Sequence, residues 1–126
     1  MDKVVHFEIP FDQPERATKF YSQAFGWQIQ AMPELQYHMV TTTETGPDFR
    51  PKEPGAINGG MFKRQGELKS PNLVVGVDEI KAAVERVKAA GGKIIQDPMK
   101  VGEMGIVAYF QDPEGNVLGL WQNLGP

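Results

Sequence analysis

Gly105-Ile-Val-Ala-Tyr-Phe-Gln-Asp-Pro-Glu-Gly-Asn-Val-Leu-Gly-Leu-Trp-Gln122 reads as two strands joined by one turn. Asp112-Pro113-Glu114-Gly115 has the chemistry of a type I turn: Asp bonds back to the backbone, Pro sets φ at the second position and Gly closes the fourth. The flanks, Ile106–Phe110 and Val117–Trp121, are rich in β-branched, aromatic and aliphatic residues, as strands are. In the second flank Leu118 and Leu120 share one face, and Val117, Gly119 and Trp121 share the other. Gly119 stands out, because a glycine inside a strand marks a bulge or a close approach to the backbone.

Outward from this hairpin, the 126 residues suit one domain with a sizeable core. Apolar residues at 40% and charged residues at 23% fit a soluble globular class. A net charge of −3 argues against nucleic acid as a partner, and Lys63, Arg64 and Lys69 form only a small basic cluster. With no cysteine, disulfides, thiolate metal sites and thiol nucleophiles are excluded. The N-terminus holds no apolar run long enough for a signal peptide or membrane span, so the expectation is a cytoplasmic protein without a membrane partner.

The first strand, Val4–Ile9, alternates: Val5, Phe7 and Ile9 on one face, Val4, His6 and Glu8 on the other. A helix follows, with Asp12 as its expected cap, Glu15 completing a capping box, and Ala17, Phe20, Tyr21, Ala24 and Phe25 as its apolar stripe. Gly26 ends it. Trp27–Ala31 and Gln36–Thr42 are the next strands. Residues 43–56 contain Gly46, Pro47, Pro51, Pro54 and Gly55, which interrupt regular structure, so a long loop is expected there, either a surface excursion or dimer contact, or a lid over a site. Ile57–Lys63 is a further strand, with Gly59 and Gly60 inside it, and residues 65–70 form a polar linker.

Beyond the linker the pattern restarts. Asn72–Val77 is a strand, Asp78 a cap, Ile80, Ala83, Val84 and Val87 a helical stripe, Gly91-Gly92 a stop, and Lys93–Gln96 extended. His6 falls on Asn72, Asp12 on Asp78, Gly26 on Gly92 and Ile29 on Ile95, all at one offset without a gap. A shorter final loop then places Gly60-Met61-Phe62 on Gly119-Leu120-Trp121. The chain is therefore read as a duplication of strand–helix–strand–strand–strand. The modules are about 1–64 and 71–126 within one domain. The expected fold class is α+β: two tandem βαβββ modules forming a cupped mixed β-sheet with helices on the outside.

Those paired modules, with His6 in the first strand, Phe25-Gly26-Trp27 after the first helix and Phe110-Gln-Asp-Pro-Glu-Gly-Asn116 before the last strand, resemble the vicinal-oxygen-chelate superfamily of glyoxalases, bleomycin-resistance proteins and extradiol dioxygenases. The resemblance implies a small organic ligand in the cup of the sheet and a homodimer. It also implies a divalent ion held by the first and last strands of each module. The positions matching those ligands are His6, Gly60, Asn72 and Gly119, of which only His6 is a strong donor; catalytic zinc takes three protein ligands. The expectation is thus a metal-independent binding protein of the glyoxalase and bleomycin-resistance type, with no cofactor. The alternative is a lyase, isomerase or dioxygenase using zinc, nickel, manganese or iron at His6 and Glu8, with His38 as a third donor.

His6 and Glu8 share a strand face and are the candidate catalytic pair, since a histidine near neutrality beside an enclosed carboxylate suits proton transfer. A purely structural hydrogen bond between them, or to Asn72, is the other reading. Phe62, Asn72, Tyr109 and Trp121 are candidate ligand contacts, with Gly60 and Gly119 leaving room beside them. Phe62 and Trp121 serve equally as ligand walls or as core filler, and Arg50 as an anion clamp or a solvated loop residue. Ser22 and Ser70 have no base at motif spacing, and neither glycine pair is a phosphate loop.

Overall fold

The computed structural model describes residues 1–48 and 50–125 and shows the α+β fold of two βαβββ modules. Two compact units result: His6–Pro71, and Met1–Val5 together with the chain from Asn72 onward. The boundary after Pro71 lies just past the linker expected from sequence. The first five residues, by contrast, group with the second half of the chain.

Strand β1 (Lys3–Phe11), which belongs to the unit of the first half from His6 onward, leads to helix α1 (Pro14–Phe25), then β2 (Gln28–Met32), a 3-10 turn at Pro33–Leu35, β3 (Tyr37–Thr41) and β4 (Gly59–Lys63). The strand order is β2-β3-β4-β1, with β4 parallel to β1 and antiparallel to β3. Alternation along β1 holds from Phe7 onward, where Phe7, Ile9 and Phe11 join Val40, Met61, Ala17, Tyr21, Trp27 and Ile29 in one core beneath α1, whereas Val5, expected with them, stays 41% exposed. Burying these aliphatic and aromatic side chains, at about 1.5–3 kcal/mol each, is the main force holding helix to sheet.

Helix α1 departs from its expected form at both face and start. Its cap is Gln13, which makes no side-chain capping bond, while Asp12 pairs with Arg64 at 3.0 Å instead. Pro14 sets the first turn without needing its missing N–H. The apolar stripe is also wider than the sheet surface it covers. Ala17 and Tyr21 pack inward, whereas Phe20 and Phe25 remain 57% and 63% exposed. Their rings gather around Tyr21 and Trp27, which stack with centroids 5.0 Å apart. Gly26 ends the helix in the left-handed region, as expected, its N–H bonded to the Ser22 carbonyl.

In the other unit, β5 (Asn72–Gly76) leads to α2 (Ile80–Ala89), β6 (Lys93–Val101), β7 (Gly105–Gln111) and β8 (Val117–Asn123), in the order β5-β8-β7-β6. Ile80, Ala83 and Val84 of α2 pack with Val77, Ala108 and Leu120. The cap is Glu79, one residue after the expected Asp78; its carboxylate accepts from the Lys81 N–H, and the Ile80 N–H donates to Gln122. Strand β6 runs past Pro98 to Val101, beyond the expected Gln96. Within this unit it is the end strand of the order, where a missing N–H is tolerated, and its pairing with β7 shifts register between Ile94 and Met99.

The hairpin is as read. Gly115 N–H bonds the Asp112 carbonyl, and the Asp112 carboxylate accepts from the Glu114 and Asn116 N–H groups. These bonds hold the Asp112 carboxyl below its ordinary value, Asn116 contributing most. The repeat also holds at the level of register: Glu8 pairs with Gly60 across β1 and β4, and Val74, its counterpart at the repeat offset, pairs with Gly119 across β5 and β8.

The described residues of 43–56 form an excursion that closes on itself. The Thr42 and Thr43 N–H groups share the Asn58 carboxamide at its base, and further out Thr45 bridges Pro51 while Lys52 pairs with Glu44 at 2.9 Å.

Candidate functional site

Consecutive glycines in β4 organise the first unit. Successive side chains on a strand point to opposite faces. A Cβ on Gly59 would overlap the ring of Phe7 on the helix side, and a Cβ on Gly60 would overlap the ring and hydroxyl of Tyr37 on the other side. Each glycine leaves the room beside the backbone that an aromatic side chain takes. The space left by Gly60, expected from sequence to suit a ligand, is taken by the protein's own tyrosine.

Tyr37 thereby reaches the candidate pair. Its hydroxyl donates to Glu8 Oε2 at 2.9 Å and lies 2.9 Å from His6 Nε2. The phenol has one proton. Once that proton is given to Glu8, the oxygen is left as acceptor, so His6 presents Nε2–H to it and keeps Nδ1 bare. Glu8 is 4% exposed. Burial holds the His6 imidazole below its ordinary value of 6.5, and the Glu8 carboxylate only partly opposes that. Phe62 completes the cluster, its ring centroid 6.5 Å from that of Tyr37 and its side chain buried. His6 and Glu8 therefore come together as expected, but through Tyr37, a residue sequence reading passed over. The signal was Gly60 itself, since a strand glycine announces a close neighbour without naming it.

His38 does not join them. It alternates with Tyr37 along β3, so its ring meets Phe11 edge-on, with centroids 5.2 Å apart, on the helix side. Among the described residues no group of three His, Cys, Asp or Glu side chains is placed to hold a metal ion. The third donor considered from sequence is thus on the wrong face. Arg50 is exposed in the excursion, its N–H bonded to the Asp48 carboxylate.

In the second unit Tyr109 lies over Gly119: a Cβ there would stand 3.3 Å from the Tyr109 ring and 3.2 Å from a Val74 methyl. Trp121 crosses Gly105, whose missing side chain makes room for the indole. Asn72 is 6% exposed, and both polar atoms of its carboxamide lack a hydrogen-bond partner among the described residues. A buried amide left this way costs about 1–3 kcal/mol.

The comparisons agree with this architecture. A family profile described as Glyoxalase/Bleomycin resistance protein/Dioxygenase superfamily matches residues 3–120. The chain belongs to that superfamily. It is 35% identical to a glyoxylase-like domain-containing protein of Didymella fabae, over 86% of this chain and 84% of the relative. It is 27% identical to a probable lactoylglutathione lyase of Vibrio parahaemolyticus, over 96% and 91%. It spans 40% of the length of mycobacterial relatives that it matches at 31% identity. Among solved structures it superposes on a Streptomyces coelicolor methylmalonyl-CoA epimerase variant with a TM-score of 0.68 at 12% identity, covering 98% of each chain, a likeness of fold.

The divalent ion that such a family implies does not fit the donors present. Of the four matching positions, Gly60 and Gly119 offer no side chain, Asn72 offers a neutral amide, and the approach to His6 Nε2 holds the Tyr37 hydroxyl. Of these positions only His6 is a strong donor, and even with Glu8 beside it the face falls short of the three protein ligands that catalytic zinc takes.

Proposed function

We propose that the protein binds a small organic molecule without a metal ion, using the face of the first unit that carries His6, Glu8, Tyr37, Gly60 and Phe62. The observation supporting this reading is the Tyr37 hydroxyl between His6 and Glu8, where the two donor atoms converge. A neutral imidazole with a bare Nδ1, a phenol and a buried carboxylate are polar groups that orient a ligand, and Phe62 is an apolar wall. Asn72, Tyr109, Trp121 and Gly119 are read as ligand contacts of the second unit. In this reading the unpartnered Asn72 carboxamide gains a partner when ligand binds. His6 and Glu8 are the pair to which proton transfer falls if the protein is an enzyme.

The test is a thermal-shift screen of small carboxylates, aromatic compounds and acyl thioesters on metal-stripped protein. A ligand that raises the melting temperature of the wild type, and does so much less for Tyr37→Phe and Asn72→Leu, supports the reading. A ligand that acts only after divalent metal is added refutes it.

The resemblance to a probable lactoylglutathione lyase favours a second reading, a divalent-metal-dependent lyase, isomerase or dioxygenase using His6 and Glu8. Stoichiometric metal in the wild type, lost in His6→Ala, decides for it. We further propose that both modules work as one domain and that the chain forms a homodimer, for which the exposed Phe20 and Phe25 offer apolar surface. Mass in solution, compared between wild type and Phe20→Ser/Phe25→Ser, tests the dimer. The reading of the protein as cytoplasmic is likewise a proposal; among the described residues no helix is long and apolar enough to cross a membrane.

A further inference from the structure

On the helix side of the first unit, the end of β1 and the first turns of α1 leave a cleft of about 340 Å³, within the size range of small-ligand sites. Its apolar lining comes from Ile9, Pro10, Phe11, Ala17 and Phe20. Alternation turns Ile9 and Phe11 to this side, away from the face that carries His6 and Glu8. The Phe20 and Tyr21 rings meet edge-to-face with centroids 5.0 Å apart, and Phe20 remains 57% exposed. An open aromatic ring at the lip of a cleft offers a surface on which a flat molecule stacks.

The polar lining is unevenly matched. Arg64 is held from two sides: its Nε donates to the Lys69 carbonyl at 3.0 Å, and its Nη1 stands 3.0 Å from Asp12 Oδ1. Arg64 and Asp12 cancel in charge, while the remaining guanidinium N–H groups stay available. Arg16 lines the same cleft, and among the described residues neither its guanidinium nor the Gln13 carboxamide has a hydrogen-bond or ion-pair partner. The cleft therefore carries one uncompensated positive charge beside an apolar floor.

We infer that this cleft binds a small aryl monocarboxylate, with the carboxylate held by Arg16 and Arg64 and the ring set against Phe20. The planar fork of an arginine matches a carboxylate in shape as well as in charge. A phosphate dianion would bring its second charge towards Asp12 with no further unpaired cation to receive it. The site goes beyond the face of His6, Glu8 and Tyr37, which lies on the other side of the same strands, and either can fail without the other.

The experiment is a nitrogen-15 NMR titration of the full chain with naphthalene-1-acetate, compared with naphthalene-1-acetamide, acetate and 1-naphthyl phosphate. Concentrations run to about 20 mM, because ligands of this size bind from the millimolar range. Saturable shifts are expected among the backbone amides of residues 9–21 and 64. Naphthalene-1-acetate should bind at least about tenfold more tightly than the amide or acetate, and more tightly than the phosphate. Arg16→Gln is expected to weaken it at least about tenfold, and Arg16→Lys by less, since lysine keeps the charge without the fork. Arg16 is exposed, so neither change should disturb folding.

Shifts centred on Tyr37 and Gly60 would put the probe on the opposite face and overturn the inference, as would shifts that never saturate or binding that Arg16→Gln leaves intact. Equal affinity for the amide refutes the role of the charge, and tighter binding of the phosphate refutes the carboxylate; either overturns it. Mass in solution, measured on the same samples, separates this site from the proposed dimer. Binding confined to conditions in which the chain is monomeric would assign Phe20 to the subunit contact and overturn the inference.

Discussion

The Tyr37 ring lies in the space that a side chain on Gly60 would need, and its hydroxyl reaches Glu8 at 2.9 Å. This single replacement links a glycine in one strand to the buried polar cluster of the unit, so the strand glycines are sensitive positions. Gly59→Ala and Gly60→Ala each force an aromatic ring aside and are expected to cost about 1–3 kcal/mol, the range for overpacking. Gly119→Ala meets neighbours at 3.2–3.3 Å, which a small shift relieves, and should cost less. Urea denaturation of the three variants gives the ranking; a Gly119→Ala cost equal to the others would contradict it.

Removing only the Tyr37 hydroxyl keeps the ring and deletes two hydrogen bonds. Tyr37→Phe should therefore destabilise by about 1–3 kcal/mol, because Glu8 loses a donor in a buried setting. In the wild type, nitrogen-15 NMR should find His6 as the Nε2–H tautomer. A predominant Nδ1–H form would reverse the donor assignment between His6 and Tyr37.

The His6 value is lowered by burial, so acid works against the fold. In the unfolded chain His6 takes a proton near 6.5, and in the folded chain only at lower pH. Above 6.5 both states are neutral and His6 adds no slope. As pH falls through 6.5 the unfolded chain binds more protons, stability declines, and the decline levels off once pH is below the folded value. His6→Gln should flatten this part of the profile, measured as urea midpoints between pH 7.5 and 5. An unchanged slope in His6→Gln would assign the pH dependence to other groups.

Asn72 carries a carboxamide whose polar atoms lack partners among the described residues. Replacing it with leucine removes that penalty at similar volume. Asn72→Leu is expected to be neutral or stabilising by about 1 kcal/mol without ligand, while weakening ligand binding. Destabilisation beyond about 1 kcal/mol would mean that the amide is satisfied in solution by water.

The duplicated modules, the face assignment of β1 and the Asp112–Gly115 turn were legible in the chain because each depends on short-range rules. Side-chain alternation places Phe7 and Ile9 opposite His6 and Glu8 whatever lies nearby, and an Asp-Pro-Glu-Gly run bends by its own dihedral preferences. Helix starts were less legible. Asp12 had a competing partner in Arg64, distant in sequence, and an ion pair replaced the cap.

Sequence by itself determined the family, the order of elements and which residues of β1 face away from the helix. Tertiary structure alone decided that His38 turns to the helix side, that Tyr37 rather than a ligand fills the place of Gly60, and that His6 and Glu8 meet through a phenol. The physical reason is register. Which ring crosses which glycine depends on the pairing of Met39 with Gly60 across β3 and β4 and on the burial that follows, and neither strand encodes that pairing by itself.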